Sequence, residues 1–238
     1  MKIKRRRESA EKPAKKVGGF AFLISIPALI LLASGIYYVI IPRVFYINPP
    51  ALAWLLSGCM LGLILAKPIS KGRLYVFLHE VKHAIVSSFA GNKWKKMKVG
   101  PETGSFEYTY YKHTAHLNAF ISLAPYWFPI ISIPIWILAP IKGDLIYFNI
   151  LVGFALGLDL YMGLKDMGPH QSDLSTIRGG VGVAKLYIIL MNALVVALVL
   201  IGSTSGFKGF SDTFLSLMVS LYKLGNLLGE INKTVSFI

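Results

Sequence analysis

Residues 73–90 read RLYVFLHEVKHAIVSSFA, an apolar stretch with two histidines and a glutamate at its centre. His79, Glu80 and His83 form an HExxH pattern. On a helix, residues four apart share one face and lie about 6 Å apart along the axis. His79 and His83 can therefore grip one metal ion together. Glu80 sits beside that ion without ligating it, where it can take a proton from an attacking water. A helix that merely happens to carry two histidines is the plain alternative, but ionisable groups at membrane depth are costly unless they have a partner or a task.

Outward from this stretch the chain stays apolar. Its 238 residues are 55% hydrophobic and 15% charged, and the mean hydropathy is +0.60. Soluble domains carry about 25% charged residues, so the composition is that of a multi-pass membrane protein. Apolar runs near 18–41, 51–66, 73–90, 119–140, 144–164 and 183–204 give six candidate crossings, the second and third short for the ~20 residues a bilayer requires. The expected fold is all-α: a polytopic helical bundle of about six transmembrane segments with a short β-hairpin or edge strand near the site. Residues 1–17 form a basic tail, 18–204 the membrane-embedded core, and 205–238 an amphipathic C-terminal segment.

The formal net charge is +14, and much of it lies before the first apolar run. A basic tail ahead of an apolar segment signals a cytoplasmic N-terminus in a cell-membrane protein, with contact to anionic lipid head groups. Without aromatic and basic residues interleaved, it does not read as a nucleic-acid arm. The run 18–41 is too long for a signal-peptide core and stays as an anchor. Cys59 is the only cysteine, which excludes an internal disulfide and a cysteine-based metal site. One conflict stands: Lys67, Lys71 and Arg73 precede the motif segment and Lys93, Lys95, Lys96 and Lys98 follow it, so a full crossing puts one basic loop outside. A re-entrant motif segment, or a topology other than the one the positive-inside rule gives, removes the conflict.

Between 99 and 118, Gly100, Pro101 and Gly104 mark a turn before Phe106, Tyr108 and Tyr110, which alternate with Glu107, Thr109 and Tyr111 at strand period. These three aromatic residues are candidate substrate contacts. An interfacial loop with its tyrosines at head-group depth is the competing reading. His113 and His116 lie in the same polar stretch and read as solvated or interfacial residues. Gly153 and Gly157 form a small-xxx-small pair for helix packing. Phe214, Leu217, Leu221, Leu224, Leu228 and Ile231 recur at helical spacing near the C-terminus.

Two histidines leave a catalytic zinc one protein ligand short. Glu80 and Asp159 are the acidic residues well inside the apolar spans, Asp144 standing only at the edge of one, which makes Asp159 the leading third ligand. If the motif segment and the 144–164 span cross in the same direction, His83 and Asp159 lie ~15 and ~22 Å from their entry ends at 1.5 Å per residue. Asp166, His170 and Asp173 are the alternatives, although Asp173, ahead of Leu174, Ser175 and Thr176, also reads as a helix N-cap. Lys82 assists at the site or snorkels toward one face.

With HEVKH at 79–83 and Leu158-Asp159 in GLDLYMG, the chain resembles the site-2-protease-like intramembrane zinc metalloproteases. Leu160 stands where that family has glycine. The stretches FISLAPYWFP (120–129) and HQSDL (170–174) are similar to those of a divergent prokaryotic branch. The resemblance implies one Zn²⁺ per chain, a zinc metalloendopeptidase activity and a membrane-spanning segment of another protein as substrate. Two other functions stay open on the residues alone: a catalytically silent scaffold or chaperone of the same fold, and a metal-cation transporter, since intramembrane His and Asp also line ion pathways.

Overall fold

A computed structural model describes residues 17–138, 145–165, 167 and 171–235. The order of elements is α1 (Phe20–Ile47), α2 (Pro49–Ile69), α3 (Gly72–Phe89), β1 (Lys93–Val99), β2 (Gly104–Thr109), α4 (Asn118–Leu123), α5 (Ser132–Leu138), α6 (Leu145–Lys165), α7 (Ser172–Ser175) and α8 (Gly180–Val235). Asn48 separates the first two helices. Its side chain accepts a hydrogen bond from the Ala51 amide at 3.2 Å, and Pro49 and Pro50 occupy the first turn, where proline's missing N–H costs nothing.

Among the described residues, four helical segments are long and apolar enough to cross a membrane: Phe20–Tyr38, Pro49–Ile69, Ile146–Lys165 and Gly180–Gly206. The chain is a membrane protein. Large apolar side chains such as Leu31 and Ile64 are left well exposed on the outside of the bundle, an arrangement suited to a lipid solvent rather than water. Gly206, at φ 61°, kinks α8 and ends the last apolar stretch.

The other two expected crossings differ. The motif stretch is a helix, α3, but Arg73, Glu80 and Lys82 within its 18 residues keep it from qualifying as an apolar span. The run 119–140 is broken into α4, a 3₁₀ turn at Ala124–Tyr126 and α5. Pro125, Pro129 and Pro134 each remove a backbone donor, which prevents one continuous helix.

Two helix pairs run parallel. The backbone of α2 lies against that of α6, with Gly58 next to Ile150 and Gly62 next to Phe154. In the same way α1 lies along α8, from a bridge between Val17 and Ile177 to the Tyr37 hydroxyl, which donates to the Ala193 carbonyl at 3.0 Å. These pairings define one end of the bundle that gathers Val17, Ser70, Lys165 and Ile177, with the Lys165 ammonium donating to the Ser70 carbonyl at 2.6 Å. Asn48 marks the opposite end.

The excursion from α3 through the hairpin to α4 departs from and returns to the first end: Ser70 precedes it, and Ala119 at its close lies beside Gly18. Helix α3 runs opposite to α6, since Tyr75 reaches Met162 and Lys82 reaches Asp159. The premise that both cross in the same direction is therefore corrected. Strands β1 and β2 pair antiparallel, with a bulge between Trp94 and Lys96. The hairpin thus starts earlier than the aromatic alternation suggested, because the lysine-rich β1 carries no apolar period of its own.

Candidate metal centre

His79 and His83 project from α3 toward the loop that precedes α8. There they meet Asp173, whose Oδ2 lies 3.7 Å from His79 Nε2 and 3.5 Å from His83 Nε2. All three ligand atoms fall within 4.8 Å of one another. Two donors held ~2.1 Å from a tetrahedral ion stand ~3.4 Å apart, so the spacing suits zinc. The donor set suits it as well: two imidazoles and one carboxylate leave a fourth position open.

Each donor is held from behind. His83 Nδ1–H donates to the Ile121 carbonyl at 2.8 Å, which directs the lone pair of Nε2 toward the cluster. The Tyr126 hydroxyl donates to Asp173 Oδ2 at 3.4 Å, and the Tyr126 ring stands edge-on to His79. Tyr126 is itself fixed by fully buried packing, and Asn192 donates to its carbonyl at 2.9 Å. Leu174 and Ile177, both fully buried, anchor the segment that carries Asp173.

Electrostatics follow from this enclosure. Burial lowers the pKa of His79, only partly offset by Asp173. At His83 burial acts in the same direction but is outweighed by the hydrogen bond and charge of Asp173 and by the Ile121 carbonyl, so its pKa is raised. Asp173 is held well below the usual carboxylate range because its hydrogen bonds to both histidines outweigh its burial. Burial raises Glu80 and pushes the Tyr108 hydroxyl up to about 12.

A cavity of about 520 Å³ opens onto the cluster, lined by His79, Glu80, His83 and Asp173 and by Gly104, Phe106 and Tyr108 of β2. Glu80 is 6% exposed. Gly104 lets the hairpin close over it: a Cβ there would lie 2.6 Å from Glu80 Oε1 and 2.7 Å from Val76 Cγ1. Phe106 and Tyr108 border this cavity. Tyr110 does not line it; its ring lies 6.2 Å from that of Tyr108, tilted by 55°.

The third donor is where the structure departs from the sequence reading. Asp159 does not face the histidines. Its Oδ2 accepts hydrogen bonds from the Ile131 amide at 3.0 Å, the Ser132 amide at 2.8 Å and the Ser132 hydroxyl at 2.9 Å, capping the start of α5. Its Oδ1 lies 3.6 Å from Lys82 Nζ. Lys82 does not snorkel: it is 2% exposed and donates to the Pro125 carbonyl at 3.3 Å. The two buried ionisable residues account for one another, which removes the argument that made Asp159 a ligand.

Asp173 is not a helix N-cap either. Gln171 holds that position in α7, and no side chain caps the turn. Asp166 and His170 lie outside the described residues. His113 and His116 are exposed, away from the cluster. Tyr126 and Gly104 went unremarked as site residues. The one sequence cue to Tyr126 was its place in a proline-broken apolar run, where an interrupted helix turns side chains inward. The chain matches no protein-family model, no curated protein and no solved structure.

Proposed function

We propose that this protein is an intramembrane zinc metalloprotease of the site-2-protease-like kind, hydrolysing peptide bonds in or near transmembrane segments of other membrane proteins. One observation carries the reading: two histidines of an HExxH helix and a carboxylate from a distant loop converge at metal-ligand spacing beside a buried glutamate. His79, His83 and Asp173 would hold one Zn²⁺ per chain. Bound zinc supplies a Lewis acid for the scissile carbonyl and lowers the pKa of the attacking water. Glu80 accepts the proton from that water and delivers it to the leaving amine.

The cavity favours an extended peptide. Among the described residues, strand β2 has β1 on one edge and no strand on the other, so it offers an edge for strand addition. A transmembrane helix must unwind locally to be held this way. The end of the bundle that carries the site also carries Lys71, Arg73, Lys165 and Arg178, which by the positive-inside rule makes it the cytoplasmic side of the cell membrane.

Metal analysis and a cleavage assay test the reading together. Purified wild type should carry close to one zinc per chain. His79→Ala and Asp173→Ala should fail to bind it, whereas Asp159→Asn, which removes no ligand, should still fill with zinc once the ion is supplied in excess of its weakened affinity. Glu80→Gln should retain zinc and abolish cleavage of a membrane-protein substrate. Cleavage that survives Glu80→Gln sinks the mechanism, and wild type that is free of zinc favours a silent scaffold.

A further inference from the structure

The lysine inside the motif has a task of its own. Lys82 leaves α3 on the flank next to His79, three residues away, and its ammonium is buried against two segments that do not belong to the metal cluster. On one side it meets Asp159, which is locked by three hydrogen bonds to the start of α5. On the other it donates to the Pro125 carbonyl, one residue before Tyr126, whose hydroxyl holds Asp173. A single ammonium therefore ties the motif helix to α6, to α5 and to the segment that supports the third donor.

Such a pair contributes little net stability, since burying both charges costs about as much as their attraction returns. What it restricts is rotation. Turning α3 about its axis swings both imidazoles away from Asp173, and it also pulls Lys82 from Asp159 and strands two charges in an apolar interior. Metal sites need donors held within about 0.5 Å and 10–20° of the productive geometry. An apolar residue at position 82 would permit that slip.

We infer that Lys82 and Asp159 are positioning residues: their buried ion pair sets the rotation of the motif helix so that His79 and His83 meet Asp173. This rests on the metal-site reading above for its functional consequence, whereas the geometry it asserts can be read without metal.

The test uses the full chain in detergent with Lys82→Met, Asp159→Asn and the double variant. Zinc affinity is measured by competition with a chromophoric chelator, and the visible spectrum is recorded with Co²⁺ in place of zinc. Each single variant should bind zinc at least tenfold more weakly and shift the Co²⁺ bands. The double variant should regain thermal stability, because no lone charge remains buried, yet keep the weakened affinity and altered spectrum. Affinity that recovers along with stability would reduce the pair to a structural role and overturn the inference.

A second arm needs no metal. In a C59S background, the H79C/D173C pair should be joined readily by a short bis-methanethiosulfonate reagent, and adding K82M should slow that reaction severalfold. An unchanged crosslinking rate overturns the positioning role. Wild type that binds neither metal while the crosslink still depends on Lys82 overturns the metalloprotease reading and leaves the positioning role standing.

Discussion

At the scale of single residues, the site depends on groups that support donors as much as on the donors. Tyr126 reaches Asp173 from a wall built by α8 and by α6, where Gly163 is small enough for the Tyr126 carbonyl to approach. Tyr126→Phe keeps the ring and removes only the hydroxyl. Outer-shell partners of this kind typically contribute 10–100-fold in metal affinity, so a zinc titration of Tyr126→Phe should show about tenfold weaker binding with an unchanged melting temperature. Gly104 has the opposite kind of importance, since it must be absent of side chain. Gly104→Ala places a methyl against Glu80 and Val76, and its turnover should fall about tenfold, equivalent to roughly 1.4 kcal/mol, while zinc content stays the same. Neither role is legible locally. HExxH announces itself through helical geometry alone, whereas Asp173, Tyr126 and Gly104 acquire meaning only from what the fold brings beside them.

At the scale of elements, glycine decides how the bundle packs. Gly58 and Gly62 of α2 face Gly153 and Gly157 of α6, and a Cβ on any of the four would lie 2.1–2.3 Å from a carbonyl oxygen of the partner helix. Such backbone contact suits helices associating in lipid, where small residues replace the hydrophobic effect as the source of close packing. Gly62→Ala or Gly153→Ala should separate the pair at a cost of about 1–3 kcal/mol, read as a lower unfolding midpoint in detergent. Because α6 also carries Asp159, the same variants should weaken zinc binding. The Gly153/Gly157 pair was recognisable as a packing motif in sequence. Its partner face on α2, Gly58 and Gly62, has the same four-residue spacing, but that these two faces meet is decided only when the helices pack.

At the scale of the whole molecule, the site occupies one end of the bundle, and the excursion from α3 to α4 returns to the end it left. An excursion that returns to the end it left predicts that the basic loops on both sides of the motif lie on the same side of the membrane, which would remove the conflict a full crossing creates. Single cysteines in a C59S background test this. K71C, E102C and R178C should all react with an impermeant maleimide from one side of sealed vesicles, and N48C from the other; labelling of K71C and E102C from opposite sides would restore a full crossing for α3. The sequence by itself determined the membrane character, the helical motif and its three residues His79, Glu80 and His83, because hydropathy and the 3.6-residue period act within a single segment. It also located a turn and an aromatic strand near the site. Only the tertiary structure decided the third donor. Asp159 and Asp173 are both acidic residues beyond the motif, and local sequence favoured Asp159 because a buried charge needs a partner. That partner is Lys82, which lies 77 positions earlier and meets it only once α3 packs against α6. Long-range pairing of this kind leaves no periodic trace in either segment, so the charge balance of the interior, and with it the make-up of the candidate metal site, emerges with the fold.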